Sequence, residues 1–275
     1  MHFSIRHETL YSYTVPVTFA PHVLRLRPRC DGVRIRAESL SVAPMPSGRR
    51  DSIDRFGNRI TEVEFDGACD YLRIESCVDL DTCDAAPLLR AELPLLPWPS
   101  LPQDELAEYR PDDGIDGAVR AFAATLASES HWSALPFLER LNRTMFTSLE
   151  RRIRSEGSAR APAYTLATGR GACRDLTVLF MVACRSLGMA ARFVSGYQAE
   201  ADTPDGQRHM HAWPEVFLPA LGWRGFDPTH GIAVTDGHVA LCAAPDQAAT
   251  MPVEGGFYAN GVTARLRYRV EIMTT

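Results

Sequence analysis

The stretch TGRGACRDLTVLFMVACRSLGM, residues 168–189, places Cys173 between a glycine-rich turn and an apolar segment. The apolar residues of this segment recur at helical spacing and predict one buried stripe: Leu176, Leu179, Phe180 and Ala183. Gly188 is predicted to end the helix. Because the first turn of a helix has unpaired N–H groups and partial positive charge, a thiolate at Cys173 is favoured over the thiol. The stretch therefore predicts a helix that begins with a nucleophilic cysteine.

Three short apolar runs follow the cysteine segment and predict strands of a sheet beside it: ARFVSGYQA, HAWPEVFL and WRGFDPT. His211 lies 38 residues after Cys173, and Asp227 lies 16 residues after His211. A histidine and an aspartate on neighbouring strands can face each other at hydrogen-bond distance. A cysteine that attacks a carbonyl needs a histidine to exchange the proton and a polar group to orient the imidazole. We therefore predict Cys173, His211 and Asp227 as the catalytic residues.

The pattern along the chain predicts four regions: an N-terminal β-sandwich at 1–92, a proline-rich linker at 93–104, a catalytic core at 105–245 and a C-terminal extension at 246–275. The first region alternates polar and apolar residues in five segments, which is typical of antiparallel strands. Repeated proline in the second opposes both helices and strand pairing. Helical spacing then begins, in GAVRAFAATLA and LPFLERLNRTMFTSLERRI. The alternating segment GVTARLRYRVEI predicts a final strand that pairs with a β-sheet, with the N-terminal sheet as a candidate.

The composition is that of a soluble globular chain of 275 residues, 45% of them hydrophobic, with a net charge of −5. Without a long basic run we expect no nucleic-acid partner, and we interpret the cluster Arg151, Arg152 and Arg154 as a solvated helix face. We find no signal peptide and no stretch of about 18 apolar residues, so we expect a cytoplasmic protein that does not bind membranes. The odd number of cysteines, seven, without a CxxC pair favours a reducing compartment and buried structural thiols such as Cys184.

Two long segments carry a family resemblance. GRGACRDLTVLFMVACRSLGMAARFVSGY and HAWPEVFLPALGWRGFDPTHG resemble the core of the transglutaminase-like superfamily, which has a papain-like fold. HETLYSYTVPVTFAPHVLRLRPR resembles the β-rich region that precedes this core in bacterial members. The resemblance implies an α+β fold in which the cysteine helix packs on an antiparallel sheet.

The resemblance also implies roles for the predicted residues. Cys173 matches the nucleophile of the family, His211 its general base and acid, and Asp227 the residue that orients the histidine. The implied reaction passes through a thioester formed from an amide of a peptide, a protein or a small molecule, and it requires no cofactor. The backbone N–H of Cys173 is a candidate donor to the oxyanion. Either water or an amine acceptor then resolves the thioester, and the sequence leaves hydrolysis and acyl transfer open.

The chain departs from the family pattern near the nucleophile. Arg174 replaces a glutamine that is common in bacterial relatives, and Leu176 replaces an aromatic residue. Residues 241–258 lack the Gly-Arg-Asp-Tyr run that usually follows the DPT strand. These differences imply a differently shaped or charged cleft wall, and therefore a different substrate.

Two alternatives to the catalytic interpretation are considered. His209 and His211 alternate on one predicted strand, which places them on one face as half of a metal site. His230 and His238, however, lie in loop-like sequence without ligand-type spacing, so we predict no metal. A binding protein that uses the cleft without turnover is the other alternative; the oligomeric state is left open.

Overall fold

The computed structural model describes residues 1–83, 92–99, 105–110, 114–154, 156–199 and 206–275. The α-helices in these ranges are α1 Gly117–Glu129, α2 Ala134–Ser148, α3 Pro162–Thr168 and α4 Cys173–Arg185. Short 3₁₀ turns occur at Ala107–Tyr109 and Ala248–Thr250. Among the helices in the described ranges, none has both the length and the apolar character needed to span a membrane.

The strands of the N-terminal half are β1 His2–Phe19, β2 His22–Leu24, β3 Val33–Ala43, β4 Gly48–Ile53, β5 Arg59–Glu64 and β6 Cys69–Thr82. Those of the second half are β7 Glu150–Arg151, β8 Arg170–Gly171, β9 Ala191–Gln198, β10 His211–Leu218, β11 Gly222–Asp227, β12 Ile232–Ala233, β13 His238–Ala244, β14 Val253–Glu254, β15 Phe257–Tyr258 and β16 Ala264–Thr274.

Two antiparallel sheets form the N-terminal region. The first has the order β15-β1-β6-β3, with β16 also paired to β1, and the second has the order β14-β2-β5-β4. Side chains of both sheets share one apolar cluster, in which Phe3, Leu24, Val63 and Ile74 are almost completely buried. Alternation along each strand places these residues on inward faces. The predicted N-terminal β-sandwich is confirmed.

The C-terminal residues return to the sandwich. β16 pairs antiparallel with β1 from Phe3 opposite Thr274 to Tyr13 opposite Ala264. The short strands β14 and β15 pair with β2 and β1. The last part of the chain thus completes both N-terminal sheets. The boundaries of the four regions, after residues 92, 104 and 245, stay a prediction.

The second half is an α+β core, as predicted. Its antiparallel sheet has the order β12-β11-β10-β9-β13. The predicted stripe of α4 is buried, and Phe180 stacks on Phe226 of β11 with ring centroids 5.6 Å apart. Helices α1 and α2 cover the remainder of this apolar cluster. The packing fixes the start of α4 above the sheet that carries His211 and Asp227.

The cluster Arg151, Arg152 and Arg154 does not lie on a helix, so its interpretation as a solvated helix face is wrong. Helix α2 ends at Ser148, because Leu149 adopts an extended conformation with φ −110° and ψ 128°. The chain then enters β7, which pairs in parallel with β8 just before α4. This pairing brings the arginine segment next to the cysteine.

The sandwich docks directly on the core. Tyr197 and Val239 of the core sheet belong to the same apolar cluster as the sandwich residues. The Nδ1 atom of His7 on β1 lies 2.9 Å from the Tyr197 hydroxyl, and burial lowers the pKa of His7 to about 4. Asn58, in the β4–β5 turn, donates to the Ala243 carbonyl at 2.9 Å and accepts from its N–H at 2.8 Å. These contacts join the sandwich to the sheet that carries His211.

Candidate active site

Cys173 is the first residue of α4, and the turn before it is tightly built. The Oδ2 atom of Asp175 accepts a hydrogen bond from the Ala172 N–H at 2.9 Å, as an acidic residue in the first helical turn does. A Cβ atom on Gly171 would lie 2.9 Å from the Asp175 Cβ, which is closer than real Cβ contacts. Because glycine has no Cβ, the backbone at position 171 can lie close to Asp175, and this close packing holds Cys173 at the first position of α4. The side chain of Cys173 is half-buried there.

His211 and Asp227 come together on adjacent strands. His211 is the first residue of β10, and Asp227 is the last residue of β11. The Nε2 atom of His211 lies 2.8 Å from Oδ2 of Asp227, and the Asp227 side chain is fully buried. Across the sheet, His211 is in register with Gly196 of β9. A Cβ on Gly196 would lie 2.1 Å from the Val239 carbonyl oxygen, so the close packing behind His211 requires glycine.

The electrostatics favour a thiolate beside an imidazolium. Burial raises the pKa of the Cys173 thiol, but the hydrogen bond and charge of His211, together with Arg174 and the backbone of Ala212, bring this pKa below its ordinary value. Burial lowers the pKa of His211, yet the charge and hydrogen bond of Asp227 and the hydrogen bond with Cys173 raise it to about 10. Both shifts favour the thiolate–imidazolium pair over the neutral thiol and imidazole.

Asp227 accepts hydrogen bonds from more than one imidazole. His230 Nδ1 lies 2.8 Å and His238 Nε2 lies 3.1 Å from the same Oδ2 atom that faces His211. The other oxygen, Oδ1, accepts from the Thr229 N–H at 3.0 Å and the His230 N–H at 3.3 Å. Burial raises the pKa of Asp227, but the charge of His211 and these hydrogen bonds hold it well below its ordinary value.

His230 and His238 were considered in the sequence only as unsuitable metal ligands, and their contact with Asp227 was missed. His230 follows Asp227 by three residues in DPTHG, a spacing that a turn closes. His238 begins β13, which pairs with β9, so its assignment to loop-like sequence is wrong. The short apolar run in HVALCAA, which is typical of a buried strand, was the signal that could have placed it in the sheet.

His211, Asp227 and His230 also form a group of potential metal ligands, with the donor atoms within 4.8 Å of one another. In this group one nitrogen of each histidine already faces Asp227 Oδ2 at hydrogen-bond distance. His209, the other histidine of HMH, lies 2.9 Å from the Tyr268 hydroxyl through its Nδ1 atom. We therefore interpret the group as a hydrogen-bond network around a buried carboxylate.

His238 is expected to stabilise the fold through its hydrogen bond to Asp227. Replacing it by leucine removes a buried donor, and His238→Leu is expected to lower the free energy of unfolding by about 1–3 kcal/mol. His238→Gln retains an N–H donor and is expected to lose less. Urea unfolding at pH 7 measures both variants, and equal losses in the two would contradict a stabilising hydrogen bond.

A cleft of about 500 Å³ opens above the cysteine. Cys173 and His211 line it, together with residues 151–154 and 156–158. The opposite side comes from the sandwich strands, with Thr9 and Tyr11 of β1 and Leu266 and Tyr268 of β16. Trp213 lies behind His211 in an apolar cluster with Val194 and Ala243. The N-terminal region thus supplies a wall of the cleft.

Comparison with known proteins identifies the family. Residues 121–228 match the transglutaminase-like superfamily, and residues 3–81 match the bacterial transglutaminase-like N-terminal region. The chain belongs to the transglutaminase-like superfamily. As a transglutaminase-like protein it is a cysteine enzyme that acts on amides.

Two relatives and one solved structure are similar to the chain. An uncharacterized protein of Mycobacterium tuberculosis is 29% identical over 300 residues, which cover 98% of this chain and 92% of that protein. The protein-glutamine gamma-glutamyltransferase of Pseudomonas aeruginosa is 35% identical over 72 residues, or 24% of this chain and 11% of that one. The crystal structure of a candidate cysteine protease from Cytophaga hutchinsonii aligns with a TM-score of 0.72 and 18% identity, covering 100% of this chain and 91% of that chain. The last match shows a shared fold.

Proposed function

We propose that the protein hydrolyses amide bonds through a thioester on Cys173, with His211 and Asp227 completing a catalytic triad. The observation that carries this proposal is the chain of contacts in the cleft. His211 lowers the pKa of the Cys173 thiol through a hydrogen-bond interaction and its charge, and His211 Nε2 lies 2.8 Å from Asp227 Oδ2. Because Nε2 faces Asp227, the other ring nitrogen of His211, Nδ1, faces the thiol.

The proposed acylation begins when the Cys173 thiolate attacks the amide carbonyl carbon and forms a C–S bond. The proton on His211 Nδ1 passes to the leaving nitrogen, the C–N bond breaks, and an amine departs. In the second half-reaction, His211 takes a proton from water while the water oxygen attacks the thioester. The C–S bond breaks, a carboxylic acid leaves, and the thiolate–imidazolium pair is restored.

Asp227 orients the imidazole and stabilises its charged form in this scheme, as the third member of such triads does. The backbone N–H of Cys173, at the first position of α4, has no carbonyl partner within its own helix. It is therefore available to donate a hydrogen bond to the oxyanion of the tetrahedral intermediate. The partial positive charge of the helix start favours the same negative charge.

Acyl transfer to an amine is a second candidate. The short match to the protein-glutamine gamma-glutamyltransferase of Pseudomonas aeruginosa supports it, over 24% of the chain. Acylation would be identical, and an amine would replace water in the second half-reaction. We favour hydrolysis because it requires no docking site for a second substrate.

Cys173→Ala tests both enzymatic candidates. The wild-type protein is incubated with amide and peptide substrates, with and without a primary amine, and acids, amine conjugates and acyl adducts are measured by mass spectrometry. We expect turnover and an adduct on Cys173, and at least about a thousandfold loss in Cys173→Ala, because the covalent route is removed. Cys184→Ala changes a buried cysteine of the same helix and is the matched control. Turnover retained in Cys173→Ala would contradict a reaction through Cys173, whereas neither turnover nor an adduct in the wild type would contradict the proposal and favour a binding protein.

A further inference from the structure

One wall of the cleft is rich in arginine. Arg151, Arg152, Arg154 and Arg174 all line it, and we call these four residues the arginine wall. Arg152 is paired with Glu150 at 2.8 Å, and Arg154 with Asp175 at 2.6 Å. These four side chains place positive charge in the cleft, although the whole chain carries a net charge of −5.

Arg174 lacks a carboxylate partner within the part of the chain that the structure describes. Its Nη2 atom donates to the Glu156 carbonyl oxygen at 2.6 Å, and its buried Nε atom has no hydrogen-bond partner. The buried Nε atom of Arg154 also has no partner. A guanidinium has five N–H donors, so both side chains retain donors for a ligand in the cleft.

The position of Arg174 places this charge beside the reaction. Arg174 directly follows Cys173, and its charge contributes to lowering the pKa of the thiol. Burial and the neighbouring Arg154 cation lower the pKa of Arg174 itself. A carboxylate bound here would favour the charged guanidinium, as the charges of Cys173 and Asp175 already do.

We propose that the arginine wall binds a carboxylate of the acyl donor, with Arg174 as the main contact, so that the preferred substrate is an acidic amide or peptide. Guanidinium and carboxylate groups match in geometry through paired N–H···O bonds. The carboxylate is either an acidic side chain or the free C-terminus of the peptide. This inference rests on the proposed function, because the acyl donor is the substrate of the Cys173 reaction.

Alkylation with charged and neutral reagents tests the wall without a substrate. Iodoacetate carries a carboxylate, whereas iodoacetamide is neutral, and both react with the same thiolate. Dividing the two rates at Cys173 therefore cancels any change in the thiol pKa. We expect the ratio of iodoacetate to iodoacetamide rates to be about threefold to tenfold higher in the wild type than in Arg174→Gln, and to fall with added salt.

Two further variants control this comparison. Arg174→Lys keeps the charge and is expected to retain most of the ratio. Arg50→Gln removes the same charge from β4, where Arg50 pairs with Glu62, and is expected to leave the ratio unchanged. Rapid alkylation of Cys173 with the same ratio in the wild type and Arg174→Gln would overturn the inference and leave the proposed function standing. Slow alkylation of Cys173 by both reagents would overturn the proposed function, and the inference with it.

Matched peptide substrates then identify the source of the carboxylate. One pair differs only in glutamate or glutamine beside the scissile amide, and a second pair differs only in a free or an amidated C-terminus. We expect kcat/KM to favour the acidic member of one pair by about tenfold in the wild type, and the preference to disappear in Arg174→Gln. Equal kcat/KM within both pairs would overturn the inference.

Discussion

Asp227→Asn is expected to lower the free energy of unfolding by about 3–5 kcal/mol at pH 7. The carboxylate is fully buried and faces nitrogens of three imidazoles through Oδ2, while Oδ1 accepts two backbone N–H groups. An asparagine presents one carbonyl oxygen and one NH₂ group, so a donor would face imidazole N–H groups that need an acceptor. Urea unfolding of the wild type and the variant measures the loss.

The exposed Asp66, in the turn between β5 and β6, supplies the matched control. Asp66→Asn makes the same chemical change in water and is expected to alter the unfolding free energy by less than about 0.5 kcal/mol. A loss below about 1 kcal/mol in Asp227→Asn would show that the network around Asp227 adds little to stability.

His211→Ala is expected to reduce turnover by at least about a hundredfold, and up to about ten-thousandfold. The variant lacks the group that exchanges protons with the thiol, the leaving amine and the attacking water. It also lacks the hydrogen bond and the charge that oppose the effect of burial on Cys173, so the pKa of the thiol is expected to rise. Steady-state kinetics with a substrate found in the screen measures the first effect.

A double variant separates a shared role from general damage to the fold. Cys173→Ala combined with His211→Ala is expected to lose little more activity than Cys173→Ala alone, because residues that act as one unit are not additive. His2→Ala, at the start of β1, controls for the loss of a histidine elsewhere. Independent, additive losses would contradict a shared role for the two residues.

The sequence predicted those parts of the fold and site that depend on local pattern. The helical spacing after Cys173 gave the buried stripe of α4, and the apolar runs gave the strands that bring His211 to Asp227. The family resemblance was confirmed by matches in both halves of the chain. The catalytic roles of Cys173, His211 and Asp227 and the cytoplasmic location stay predictions.

The features that the sequence did not reveal depend on contacts between distant segments. Arg151, Arg152 and Arg154 continue a helical pattern in sequence, and only the pairing of β7 with β8 turns them toward the cleft. His238 lies on β13 and Asp227 on β11. The two side chains meet although the strands β9 and β10 lie between β13 and β11 in the sheet. Tyr268 enters the cleft through the pairing of β16 with β1, which joins the two ends of the chain. No local spacing encodes such pairings.

The central claim, that Cys173 is a thiolate poised by His211, is tested most directly by alkylating the native protein with iodoacetamide across pH and quantifying all seven cysteines by mass spectrometry. A lowered pKa raises the thiolate fraction of Cys173 below the ordinary titration range of a free thiol, and the weaker nucleophilicity of that thiolate offsets only part of the gain. We therefore predict that Cys173 reacts faster than an unperturbed thiol at pH 6, with an apparent pKa below about 8.5. Titration of Cys173 at or above about 8.5, with no rate advantage over the exposed Cys30 and Cys83, would contradict the account.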